Sequence, residues 1–252
     1  MGAVLMGLVQ GFTEFLPVSS SGHLLLLRTL LHVASPGATL EVWLHGATLA
    51  SVLIALRRRL GSLLHGVLIR EPSSVRIVLM VALGTLPAAL AGVLLRHQVD
   101  VLFRPQVAAV GFLLTTLLLW TAPRPSTHGR RLDEIGTGDA LLVGAVQALA
   151  LIPGLSRSAS TMAASRWCGL SPATAAEYSF LLAIPVILGA LVVTGIPEAQ
   201  SAPVTLIAAL TAGTAGVLAV QWAMQGIVKP GWWKGFGVYT IMLAGLSWWL
   251  GR

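Results

Sequence analysis

The sequence predicts an all-α polytopic membrane protein, and three observations carry that prediction. Of 252 residues, 56% are hydrophobic and 10% charged, where a soluble domain carries about 25% charged residues. Mean hydropathy is +0.84. The apolar residues come in runs of helix-spanning length, not in the weak alternation of a membrane β-barrel. Two further apolar runs are broken in the middle by proline and clustered polar residues. A soluble globule could not build a polar shell from this composition, and disorder is excluded for the same reason. At about 20 residues per span, the chain holds roughly six to eight helices.

The elements follow in order. Residues 2–31 form an apolar stretch broken at Pro17-Val18-Ser19-Ser20-Ser21-Gly22-His23. Proline costs about 3 kcal/mol inside a helix and frees backbone groups that lipid cannot satisfy. The stretch therefore reads as a re-entrant helical hairpin whose break faces protein or a water-filled cavity. Spans are expected at about 39–56, 75–95 and 106–121, with a loop over 57–74. A cytoplasmic linker covers about 122–138. Residues 139–170 repeat the hairpin design, broken at Pro153-Gly154-Leu155-Ser156-Arg157-Ser158. Spans follow at about 174–196, 203–223 and 235–250. The tryptophans, notably Trp232, Trp233, Trp248 and Trp249, fit interfacial belts.

The whole chain is expected to be one membrane domain built from two repeats, about 1–121 and 139–252. Gly7-Leu8-Val9-Gln10 recurs as Gly144-Ala145-Val146-Gln147, and a proline break follows each. Glu41 and Glu177 open the first span of each half. Each half holds one hairpin, which crosses nothing, and three spans. An odd number of crossings inverts the second half, and a site is expected at the repeat interface near the midplane. This layout puts Arg57, Arg58, Arg59, Arg70, Arg76, Arg124, Arg130, Arg131, Lys229 and Lys234 on one side. Arg28, Arg96, Arg104 and Arg252 fall on the other. The first side is assigned to the cytoplasm, so the first hairpin opens to the outside.

The net charge of +7 comes without a basic stripe interleaved with aromatics, so no nucleic-acid partner is expected. Cys168, the single cysteine, permits no internal disulfide or thiolate cluster and reads as a core thiol. No Lys or Arg precedes Arg28, so the start does not read as a signal peptide.

The candidate chemistry sits at the two breaks. Gln10 and Glu14 are four apart and share a helical face. Ser20 and His23 are three apart, where a second short helix should begin past Pro17. Its unpaired N–H groups carry the positive dipole end, and Ser19 and Ser21 add hydroxyls or simply cap the helix. Ser156, Arg157 and Ser158 open a matching short helix in the second hairpin, with Thr161 one turn on. Free N–H groups, hydroxyls and an arginine make an anion site that fits a phosphate, a diphosphate or a carboxylate. A charged residue mid-membrane costs about 2.5–3.5 kcal/mol on insertion scales, which argues for function at Glu14 and Arg157. Glu41, His45, Thr48 and Glu177 read as structural polar groups bonding between helices.

These residues carry a resemblance. The segment from Gln10 to His23 is similar to the first motif of the bacterial undecaprenyl-diphosphate phosphatase (bacitracin-resistance) family. The segment from Leu151 to Thr161 resembles its second motif, with Ala159 where a glycine usually follows Ser-Arg-Ser. Leu40–Leu53 and Ala175–Gly189 are also similar, so the match spans nearly the whole chain. The resemblance implies hydrolysis of the C55 isoprenoid diphosphate to its monophosphate, which recycles the lipid carrier of cell-wall synthesis in the bacterial plasma membrane. It places the family's acidic motif on Gln10 and Glu14, its Ser and His on Ser20 and His23, and its Arg on Arg157. It also suggests a divalent cation, Mg²⁺ or Ca²⁺, bridging Glu14 and the phosphates.

The expected reading is an intramembrane phosphatase acting on a polyprenyl diphosphate. Arg157, Ser156 and the helix-end N–H groups hold the diphosphate, with Gln10, Ser19, Ser21, Ser158 and Thr161 around it. Ser20 is the favoured nucleophile with His23 as its acid/base; His23 itself or an activated water are the alternatives. The rival class is a transporter or flippase for a polyprenyl phosphate, since paired broken hairpins are also transporter architecture.

Overall fold

The structure, a computed structural model, describes residues 2–31, 37–95, 98–123, 129–195, 202–229 and 231–252. Arg96, Arg124 and most of the loop between the spans expected at 174–196 and 203–223 lie outside the described residues. Within them the chain is helical, with no strand beyond an isolated bridge between Arg130 and Leu170. Helices α1 (Gly2–Phe15) and α2 (Ser20–Leu31) flank the first break. Then come α3 (Gly37–Ala55), α4 (Arg57–Leu68), α5 (Pro72–Leu95), the single turn α6 (Val99–Leu102) and α7 (Pro105–Thr121). Helices α8 (Thr137–Ala148) and α9 (Arg157–Trp167) flank the second break. Helices α10 (Pro172–Thr194), α11 (Ala202–Gly226) and α12 (Trp232–Leu250) complete the chain.

Among the described residues, α5, α10 and α11 are long and apolar enough to cross a membrane. The bent pair α3 and α4 makes a fourth if counted as one span. The protein is thus a multi-pass membrane protein. The expected loop over 57–74 is mostly helix: α4 turns off α3 by 73° at Leu56. Its sequence explains this. Leu60, Leu63 and Val67 fall at helical spacing and, with the exposed Leu64, line an apolar groove against α5 and α10, while Arg57, Arg58 and Ser62 are exposed. Such an amphipathic helix lies along an apolar surface instead of crossing it.

The packing has the polarity expected in lipid. On α11 the exposed side is Leu206, Leu210 and Leu218, while the buried side is Ala208, Ala212, Ala215, Gly216 and Ala219. Small residues let backbones approach where no hydrophobic force distinguishes helix from lipid. Gly7 and Gly11 of α1 lie directly on the Ala208 and Ala212 carbonyls of α11, leaving no room for a side chain. Buried polar groups join other pairs: Ser51 Oγ donates to the Gly213 carbonyl at 2.8 Å, Tyr178 OH to the Met80 carbonyl at 2.7 Å, and Thr116 and Thr240 hydroxyls meet at 2.8 Å. Helix α1 packs chiefly on α11, α8 on α5, α3 on α11 and α7 on α12, while α10 packs on α9, α3 and α5. One expected belt residue is core: Trp233 is buried and donates to the Ile227 carbonyl, whereas Trp248 and Trp249 are exposed.

Candidate active site

The two breaks meet inside the bundle. The chain leaves α1 at Phe15, turns through Leu16–Ser19 and starts α2 at Ser20. Ser19 sits at φ 69°, a left-handed conformation unusual for a residue with a Cβ. Its Oγ accepts the Gly22 N–H at 3.4 Å, so Ser19 caps α2. In the second break Gly154 has φ +84° and lies on the Ala108 carbonyl of α7. Ser156 caps α9 by accepting the Ala159 N–H at 3.2 Å. Ser158 Oγ reaches across to the Leu16 carbonyl at 2.8 Å. Gly22 of α2 lies against Gly154, so the two turns are in direct contact.

This brings three of the expected residues, Gln10, Ser20 and Arg157, onto one carboxylate. Glu14 is buried. Its Oε1 accepts from the Arg157 guanidinium at 2.7 Å, and its Oε2 accepts from Ser20 Oγ at 2.7 Å and from Gln10 Nε2 at 3.1 Å. His45 Nε2 lies 3.9 Å from the same oxygen. Ser20 and Arg157 are partly exposed, so hydroxyl and guanidinium line an accessible edge above the carboxylate.

His23 is not paired with Ser20, as its spacing suggests, but held by other groups. Its Nδ1 lies 2.7 Å from the Ser19 carbonyl and its Nε2 2.8 Å from the Tyr239 hydroxyl of α12. The group hydrogen-bonded to Ser20 is Glu14. The strained turn at Ser19 swings the first residue of α2 back over the last turn of α1, which residue spacing along a single helix does not reveal.

The remaining candidates brace the site. Ser156, Ser158 and Thr161 are buried; Thr161 Oγ1 meets Ser179 Oγ at 2.6 Å. Ser19 and Ser21 hydroxyls face each other at 3.2 Å. Of the polar groups read as structural, Glu41 pairs with Arg28 at 2.5 Å and Glu177 with Arg59 at 2.5 Å. His45 lies against Glu14, closer to the chemistry than its stripe on α3 suggests. Tyr239 carried no signal beyond being one of two tyrosines, in an apolar helix.

Among the described residues no three His, Cys, Asp or Glu side chains form a metal cluster. The hard donors at the site are the Glu14 carboxylate and the Gln10 Oε1, which is buried without a hydrogen-bond partner. Both are the oxygen type that Mg²⁺ and Ca²⁺ prefer.

A helical membrane protein with a carboxylate, hydroxyl and guanidinium gathered at two broken helices belongs to the class of membrane-embedded anion-handling proteins. Comparison sharpens this. Residues 3–246 match the family described as bacitracin resistance protein BacA, and the chain belongs to that family. It is 37% identical to an undecaprenyl-diphosphatase of Desulfosudis oleivorans, covering 98% of this chain and 97% of that one. It is 37% identical to one from Moorella thermoacetica over 97% and 95% of the two chains. A third, from Thermomicrobium roseum, is 42% identical over 79% of each.

Proposed function

We propose that the chain hydrolyses undecaprenyl diphosphate to undecaprenyl phosphate and inorganic phosphate, recycling the lipid carrier for cell-wall synthesis. The family and its named relatives support the substrate. The observation that carries the chemistry is the Glu14 carboxylate, which holds the Ser20 hydroxyl and the Arg157 guanidinium at 2.7 Å each. Arg157 is the cation for the diphosphate, and its planar fork suits phosphoryl oxygens. The free N–H groups at the start of α9 add to that field. Ser20 Oγ attacks the terminal phosphorus and its proton passes to Glu14. The bond from phosphorus to the bridging oxygen breaks, and undecaprenyl phosphate leaves with the electron pair. Water then attacks the phosphoserine phosphorus with His23 Nε2 taking its proton, the bond from phosphorus to Ser20 Oγ breaks, Glu14 returns its proton to Oγ, and inorganic phosphate is released. Nucleophilic attack by serine needs an adjacent base, and the base in contact is Glu14.

A divalent cation, Mg²⁺ or Ca²⁺, would be held by Glu14 and Gln10 Oε1 with the substrate's phosphate oxygens. It would supply neutralisation of the charge on the leaving phosphate.

The arrangement is an inverted repeat. Exchanging α1 with α8, α2 with α9, α3 with α10, α5 with α11 and α7 with α12 carries the α1–α11 pairing onto α8–α5, α3–α11 onto α10–α5 and α1–α2 onto α8–α9, and returns α7–α12 and α3–α10 onto themselves, which supports the two-fold relation. Each half then contributes one re-entrant hairpin and three crossings. The basic residues beside α4 and in the 122–138 linker favour the cytoplasm for that face of a bacterial plasma membrane, with the site open to the outside.

The test is phosphate release from undecaprenyl diphosphate by purified protein in detergent, with and without chelator. Wild type should release phosphate, and Arg157→Ala should lose about 10²-fold or more while remaining folded, as when an electrostatic stabiliser is removed. Binding of the lipid without phosphate release would overturn the hydrolase and favour a polyprenyl-phosphate transporter. Loss of turnover on chelation would support the cation.

A further inference from the structure

We propose that Tyr239 is a positioning residue for His23, holding the imidazole whose tautomer the Ser19 carbonyl sets and occupying its Nε2 lone pair until the water of the second step displaces the hydroxyl. The proposal rests on the reading of His23 as the base of the second step.

The Ser19 carbonyl, 2.7 Å from His23 Nδ1, can only accept. Nδ1 therefore carries the ring proton, and neutral His23 presents Nε2 as a bare lone pair. The Tyr239 hydroxyl, 2.8 Å from Nε2, donates to that lone pair. The opposite tautomer would leave Nδ1 without a proton against a carbonyl, whichever way the Tyr239 hydroxyl turns.

The rings add a second constraint. His23 and Tyr239 stack with centroids 5.7 Å apart and 23° between planes. Phe112 of α7 meets His23 edge-on at 5.9 Å and 87°. Two aromatics and two hydrogen bonds thus leave the imidazole one orientation.

The setting of Tyr239 supports a purpose. Its neighbours on α12, Val238, Ile241 and Met242, are exposed apolar residues. A hydroxyl on such a face needs a partner, and tyrosine is placed where one end is apolar and the other meets a polar group. The second tyrosine, Tyr178, bonds a backbone carbonyl in the core. Tyr239 instead ties α12, at the far end of the chain, to a side chain of the first hairpin.

Tyr239→Phe keeps the stack and removes the hydroxyl. In the full-length protein in detergent, with ¹⁵N-labelled histidine and His23 assigned through His23→Gln, wild type should show the Nδ1-protonated tautomer. The unprotonated Nε2 resonance should move in Tyr239→Phe. The same variant should lower kcat about fivefold to tenfold, the scale of one lost hydrogen bond, with KM for undecaprenyl diphosphate little changed. An Nε2-protonated His23 in wild type would overturn the proposal without any variant. An unmoved resonance, or unchanged kcat, in folded Tyr239→Phe would do the same. If His23→Gln keeps full turnover while the resonance still moves in Tyr239→Phe, the tautomer assignment stands and the reading of His23 as a base fails.

Discussion

At the scale of single residues, Glu14 does more than any other side chain. A buried carboxylate in a membrane protein is costly unless it is paired and hydrogen-bonded, and here Arg157, Ser20, Gln10 and His45 surround it. Breaking such a pair strands the partner, so the informative substitution is Glu14→Gln, which keeps the size and one accepting oxygen but removes the charge and the base. We expect Glu14→Gln and Ser20→Ala each to cut turnover about 10²-fold or more, the scale of general acid–base effects. Because the hydroxyl and its base act as a unit, the double variant should be little worse than the worse single. Initial rates of phosphate release check this; losses that multiply would mean that Ser20 and Glu14 act independently. The sequence singled out Glu14, Ser20, His23 and Arg157 as candidates because charges and hydroxyls are conspicuous in broken apolar runs. It paired Ser20 with His23 because i,i+3 neighbours meet on a helix. The true neighbour of Ser20 is set by the turn at Ser19, a backbone conformation that composition does not announce. Tyr239 was illegible because its contact bridges 216 positions.

At the scale of elements, both hairpin breaks were legible because proline followed by serine has one economical reading inside an apolar run. The bend into α4 was not, since three arginines look like a loop until their leucine spacing is weighed. The seam between α1 and α11 rests on Gly7-x-x-x-Gly11, a small-residue pattern that permits close helix approach and that the repeat comparison passed over. The second turn rests on Gly154, whose φ of +84° and position on the Ala108 carbonyl exclude a Cβ on two counts. Gly154→Ala should therefore push the turn away from α7 and pull Arg157 off Glu14. Expected is a lowered melting temperature together with turnover reduced by more than the fraction unfolded. Fluorescence-detected thermal unfolding and phosphate release on the same preparation separate the two effects. An active Gly154→Ala variant of wild-type stability would show that the turn does not position Arg157.

At the scale of the whole molecule, the question is which side of the membrane each hairpin opens to. From the charge asymmetry we expect α4 and the 122–138 linker at the cytoplasm and the end of α2 outside. Exposed Leu31, at the end of α2, and exposed Ile69, just past α4, report on the two faces. The native thiol of Cys168, half-buried at the end of α9, is replaced by serine so that the background is clean. In intact cells a membrane-impermeant maleimide should modify Leu31→Cys and spare Ile69→Cys, with both labelled once the membrane is opened. Labelling of Ile69→Cys alone from outside would invert the protein and put the first hairpin's mouth in the cytoplasm. Substrate would then arrive from the inner leaflet, and carrier recycling on the outer face would need another enzyme.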